Sequence, residues 1–186
     1  MPTRSRLALM ALVMALTAGC DQATKRLAIQ ELRSAPPRSY LGDLFRLQYS
    51  ENPGAFLSLG AGLSEGARSW IFVGGVAVIL AGLLLYALLS KRISLLGIIG
   101  VAFLAGGGFS NWADRLLRGN VVVDFMNVGI GPVRSGIFNV ADLFLEVGAV
   151  MLVVSMLRSK PSAPALAPPP GAGPDPGMVR PIEEER

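Results

Sequence analysis

The chain contains no histidine and a single cysteine, Cys20. These absences remove Ser-His and Cys-His nucleophile pairs, the HExxH zinc site, every Cys/His metal cluster and any internal disulfide. Proton transfer at an active site would then fall to carboxylates or to one of only three lysines, Lys25, Lys91 and Lys160. Charge is also scarce, at 16% of 186 residues against 52% hydrophobic, with a mean hydropathy of +0.51. A soluble domain carries about 25% charged residues, so the composition indicates a membrane protein. The net charge of +4 does not call for nucleic acid, because the basic residues are scattered and several flank apolar runs, where they orient helices. No metal, cofactor or nucleic-acid partner is expected.

What is present is a series of apolar runs. Arg4 and Arg6 precede 14 uncharged residues from Leu7 to Cys20, and the helix can continue to Ile29 because Asp21 and Lys25 are spaced i,i+4 and can pair at the interface. Trp70 to Leu89 is a 20-residue uncharged run, long enough to span a bilayer. Its glycines, Gly74, Gly75 and Gly82, are read as marks of close helix packing. After Lys91-Arg92 a third uncharged run extends from Ile93 to Ala113, and residues 135 to 157 carry only Asp142 and Glu146. The expected fold is an α-helical membrane protein with four transmembrane helices, about 7–29, 70–89, 93–113 and 136–157, and a small β-element in the outward-facing loops. The spans form one domain over residues 1–160. From Pro161 eight of the 13 prolines fall in the last 26 residues, so 161–186 reads as a disordered Pro-rich cytoplasmic tail. Basic residues at Arg4/Arg6, Lys91/Arg92 and Arg158/Lys160 put both termini in the cytoplasm and both long loops outside.

The polar residues are not scattered at random. Phe45, Leu47 and Tyr49 alternate with Arg46, Gln48 and Ser50, a strand period that leads into Glu51-Asn52-Pro53-Gly54. There Asn52 either sits in a plain turn or points its amide into a site. Asp124 ends a Val-Val-Val strand signal, and Asp142 lies a few residues into the last span, roughly 7 to 10 Å below the outer face at 1.5 Å per residue. An acid inside a span is a functional candidate. If strand and helix mouth are adjacent, Asp124 and Asp142 face each other across a gap that a water can fill.

Competing readings follow from the same residues. Leu16 to Cys20 looks like a lipobox, but the leucine stands four residues before the cysteine rather than three, and cleavage would detach Arg4 and Arg6. Gly106-Gly107-Gly108 could be a phosphate cradle but lacks the preceding strand. A Ser-Lys pair of Lys25 with Ser110 or Ser50 competes with the Asp21–Lys25 ion pair, which would keep the lysine protonated. Asp142 could simply pair with Arg115, leaving Asp124 to cap a turn. A small transporter or proton channel would also carry intramembrane acids, but at mid-depth and with an internal repeat.

Five blocks, in order, resemble one family: Asp21-Gln22-Ala23-Thr24-Lys25, Asn52-Pro53-Gly54-Ala55-Phe56, Gly106-Gly107 through Asn111 to Asp114-Arg115, Val121 to Asp124-Phe125, and Phe138-Asn139-Val140-Ala141-Asp142. The chain resembles lipoprotein signal peptidase, also called signal peptidase II. The resemblance implies a multi-pass aspartyl endopeptidase of the bacterial inner membrane, with its active site near the outer face. It would cut prolipoproteins that carry a diacylglyceryl cysteine, just before that cysteine, and work as a monomer among membrane lipids. On this match Asp124 and Asp142 are catalytic, and Asp21, Lys25, Asn52, Gly54, Asn111, Arg115 and Asn139 bind substrate or support the pair, with Asn111 and Arg115 suited to holding substrate carbonyls or lipid polar groups. Two departures stand out. Phe56 follows Ala55 directly, where many members have a further small residue, and Glu146 stands where a small or apolar side chain is expected. Glu146 either pairs with Lys25 or Arg115 or stays protonated.

Overall fold

The computed structural model describes residues 1–54, 62–90 and 93–158. Ala55, Phe56, Lys91, Arg92, Lys160 and the whole of 161–186, on which parts of the sequence reading rest, lie outside the described residues. The elements run α1 (Thr3–Leu32), β1 (Arg38–Tyr40), β2 (Phe45–Asn52), α2 (Glu65–Ser69), a π-helical segment (Trp70–Gly75), α3 (Val76–Leu89), α4 (Leu95–Leu117), β3 (Val122–Ile130), β4 (Val133–Arg134) and α5 (Val140–Arg158). Among the described residues four helical stretches are long and apolar enough to cross a membrane: Thr3–Leu32, Glu65–Leu89, Leu95–Leu117 and Val140–Arg158. The protein is therefore an α-helical, multi-pass membrane protein carrying one small sheet.

Leu95–Leu117 is the central helix, since 56% of its apolar window is buried against 6–17% in the other three. Glycine makes that possible. A Cβ on Gly100 would lie 2.9 Å from the Gly148 carbonyl oxygen, one on Gly148 2.7 Å from that of Gly100, and one on Gly106 2.8 Å from Thr17 Cβ. Backbones approaching this closely exclude any side chain, and in lipid, where water drives nothing together, such contact holds helices to one another. The close-packing glycines are thus in α4 and α5. At Gly74, Gly75 and Gly82, read from sequence as packing marks, an added Cβ would meet nothing nearer than 3.7 Å. Gly74 and Gly75 instead end the π-helical segment, where a wider turn costs least without side chains to crowd it.

The sheet is antiparallel in the order β1-β2-β3-β4. An irregularity between Leu47 and Ser50 shifts the β2–β3 register, so that Ser50 stands opposite Asp124 and Asn52 opposite Val122. Side chains alternate along a strand. Phe125 packs on Ala28 and Leu32 at the end of α1, which turns Asp124 to the opposite face.

Several boundaries differ from the sequence reading, and the first two differences bear on the site. Asp124 does not end its strand, which starts at Val122 and continues to Ile130 because β2 and β4 both pair with it. The last span starts at Val140 rather than near 136, because the Phe138 backbone is held by a bridge to Met126. Asp142 accordingly lies in the first turn of its helix, not two turns down. The second and third spans also run further than expected, starting at Glu65 and ending at Leu117.

Candidate active site

The start of α5 is built by a reciprocal cap. The Asn139 side-chain oxygen accepts from the Asp142 backbone N–H at 3.1 Å, while Asp142 Oδ2 accepts from the Asn139 backbone N–H at 3.0 Å. This is the capping-box arrangement in an Asn-Val-Ala-Asp sequence. A third contact reinforces it from another helix, as Asp21 Oδ1 accepts from the Ala141 N–H at 2.8 Å. Two carboxylates therefore sit at the positive end of α5, where the helix dipole favours negative charge.

Asn139 also joins the two strand and helix acids. Its amide nitrogen donates to Asp124 Oδ1 at 2.7 Å and to Asn111 Oδ1 at 3.1 Å, and Asn111 in turn donates to Asp142 Oδ1 at 2.9 Å. Asn52 donates to Asp124 Oδ2 at 2.9 Å, and its own oxygen accepts from the Gly54 N–H. Every orientation in this chain is determined. Lys25 Nζ donates to Asn111 Oδ1 at 2.8 Å, and an ammonium can only donate, so the amide nitrogen of Asn111 must face Asp142.

Behind these residues lies a closed ionic cluster. Lys25 Nζ is 2.7 Å from Asp21 and 2.9 Å from Asp114, all three side chains at most 2% exposed. Ser110 donates to Asp21, Gln22 donates to both Ser110 and Asp114, and Asp114 also accepts from Arg118 and from the Val123 N–H. The Asp21–Lys25 pair expected at the interface is thus inside the bundle. Ser110 donates to Asp21 rather than to Lys25, so no Ser-Lys pair forms. Lys25 does not reach Glu146 either. Asp114 and Gln22 were given no role from sequence, and Ser110 only that of a nucleophile beside Lys25. Their spacing holds the signal, since positions 21, 22 and 25 share one face of α1 and 110, 111 and 114 one face of α4.

Arg115 does not pair with Asp142 or Glu146. Its guanidinium donates to the Gly54 carbonyl at 2.6 Å and to that of Asn111 at 3.1 Å, and stacks over Phe72 at 5.3 Å. It thereby pins the Asn52-Pro53-Gly54 turn over the site. Asn111 and Arg115, expected to hold substrate carbonyls or lipid groups, are both engaged within the protein.

Asp124 and Asp142 open onto one cavity of about 560 Å³, within the size range of ligand sites. Asn52, Asn111 and Arg115 line its polar end, and Val76, Ile79, Leu80 and Leu83 of α3 face Leu145 and Ala149 of α5 along an apolar length. Burial pushes the Asp124 carboxyl up to about 6, and the charge of Asp142 acts in the same direction, against the amide hydrogen bonds from Asn52 and Asn139. Among the described residues no group of three or more Cys, Asp or Glu is placed to hold a metal ion.

Comparison with known proteins places this architecture. The relatives include lipoprotein signal peptidases of Syntrophus aciditrophicus, 36% identical over 62% of this chain and 71% of that protein, and of a Nostoc species, 33% identical over 77% and 85%. The lipoprotein signal peptidase of Streptococcus pneumoniae is 29% identical over 82% of this chain and 95% of its own length. The fold matches a bacterial membrane enzyme solved by the in meso method at 2.3 Å, with a TM-score of 0.71, 24% identity, and coverage of 84% of this chain and 94% of that one. A family model described as signal peptidase (SPase) II matches residues 13–158, a span that contains every polar residue of the site, and the chain belongs to this family of membrane peptidases.

Proposed function

We propose that the protein is an aspartyl endopeptidase of the bacterial inner membrane that removes signal peptides from diacylglyceryl-modified prolipoproteins, cutting immediately before the lipidated cysteine. The observation that carries this reading is Asn139, whose one side chain touches Asp124 while capping the helix turn that bears Asp142. It ties two acids to the mouth of an apolar cavity that suits a hydrophobic peptide.

Two close carboxylates do not both ionise readily, so the pair shares one proton and titrates as a unit. The ionised member takes a proton from a water, whose oxygen attacks the scissile carbonyl carbon. The protonated member gives its proton to the carbonyl oxygen, and a neutral gem-diol forms. Collapse of the diol breaks the C–N bond, the proton held by the first carboxyl passes to the leaving amine, and a diol hydroxyl returns its proton to the second carboxylate. The pair then again holds one proton. Asn52, Asn111 and Asn139 fix the carboxylates, and Asp21, Lys25, Arg115 and Gly54 fix the asparagines and the turn. Residues 1–160 carry the activity with both termini in the cytoplasm and the polar end of the cavity at the outer face, the 161–186 segment taking no part.

Purified protein in detergent, incubated with a diacylglyceryl-modified and an unmodified prolipoprotein, is expected to cleave the first selectively. Ion flux through liposomes without cleavage would instead favour a channel. Helix placement is expected to matter as much as the acids themselves. A Cβ at Gly107 would lie 2.7 Å from the carbonyl oxygen of Ala141, the residue before Asp142. Gly107→Ala is therefore expected to lower kcat about a hundredfold through displacement of α5, with the protein still inserted in membranes. An unchanged kcat would show that the helix contact can yield without disturbing the pair.

A further inference from the structure

Among the described residues, Glu146 is the one acid of the cavity wall that the mechanism above does not use. It stands on α5 one turn beyond Asp142, about 6 Å along the axis at 1.5 Å per residue. It lines both the main cavity and a second of about 220 Å³, with Ile137 between the two. Its side chain is exposed. The cations of the bundle are engaged elsewhere, Lys25 by Asp21 and Asp114 and Arg115 by backbone carbonyls. Across the groove stand Ile79, Leu80 and Leu83 of α3. A carboxyl in such surroundings is costly unless a donor meets it, and none of the described side chains does so.

We propose that Glu146 is a specificity-determining residue that favours signal peptides carrying a hydroxyl side chain about two residues before the scissile bond. The inference rests on the peptidase reading. The apolar part of a signal peptide would lie along the apolar length of the cavity, which runs from Asp142 past Leu145 and Glu146 to Ala149, so residues before the cut meet Glu146 and those after it do not. An extended chain advances about 3.3 Å per residue, and 6 Å therefore corresponds to two residues. A serine or threonine hydroxyl there can donate to the carboxyl, whereas alanine leaves it unmet.

The test uses the full-length protein in detergent with two diacylglyceryl-modified precursors that differ only in Ser or Ala two residues before the cut. The wild type is expected to favour the Ser precursor by about fivefold in kcat/KM, a single hydrogen bond's discrimination. E146L is expected to bring the ratio near one through loss on the Ser precursor, and E146Q, which keeps an acceptor, to restore the preference. Equal ratios in wild type and E146L, with both precursors cleaved, would overturn the assignment. Cleavage of neither precursor by the wild type would overturn the peptidase reading itself, and this inference with it.

Discussion

Asp124→Asn and Asp142→Asn are each expected to lower kcat for prolipoprotein cleavage by about a thousandfold or more, with the protein still folded and inserted. General acid–base catalysis contributes about 10²–10⁴-fold, and a pair that passes one proton back and forth loses nearly all of it when either member cannot ionise. Asparagine keeps the shape of the carboxylate but not its proton. The pH profile provides a second readout. Because burial raises Asp124 to about 6, the singly protonated pair is expected to be populated near that pH. Cleavage should therefore fall as the pH climbs well above 6 and the shared proton is lost. It should fall again at lower pH, once both carboxyls are protonated. Activity near wild type in either variant, or a profile flat from pH 4 to 9, would remove the pair from the mechanism.

The sequence carried the spans and the polar residues more clearly than it carried their contacts. Uncharged runs such as Trp70 to Leu89 are legible because hydrocarbon excludes charge regardless of what packs on it. Boundaries were less legible, since they depend on partners distant in the chain. Phe138 leaves the helix because Met126 takes its backbone, and nothing in Ser135-Gly136-Ile137 announces that bridge. The Asn-Val-Ala-Asp cap was readable in principle, as Asn and Asp three residues apart before an apolar run mark a helix start. A span starting near 136 would put both Asn139 and Asp142 inside the helix, and the cap instead puts Asn139 just before the first turn. That displacement lets its amide reach sideways to Asp124. The close-packing glycines were misplaced for a similar reason. Gly82 and Gly100 look alike in sequence, and only the crossing of α4 with α5 separates them.

The second large effect is expected at Lys25, a residue that touches no substrate. Its ammonium balances Asp21 and Asp114 inside the bundle, with all three side chains at most 2% exposed. Lys25→Met has nearly the same volume but leaves two carboxylates buried without a cation. Removing one partner from a buried ion cluster costs about 3–5 kcal/mol, a large part of the 5–15 kcal/mol that holds a typical protein folded. The loss also reaches the acids. Without the ammonium, the Asn111 oxygen keeps only the longer hydrogen bond from Asn139 at 3.1 Å, and the amide nitrogen that donates to Asp142 is held less firmly. Asp21, which caps α5 at Ala141, is loosened by the same change. Lys25→Met is therefore expected to lower the thermal unfolding temperature in detergent sharply and to lower kcat in whatever fraction remains folded. Arg26→Met provides the control, because Arg26, the next residue on the same helix, is exposed and surface changes of this kind stay within about 0.5 kcal/mol. If Lys25→Met unfolds at the temperature of the Arg26 variant and cleaves at its rate, the ionic cluster does not hold the site.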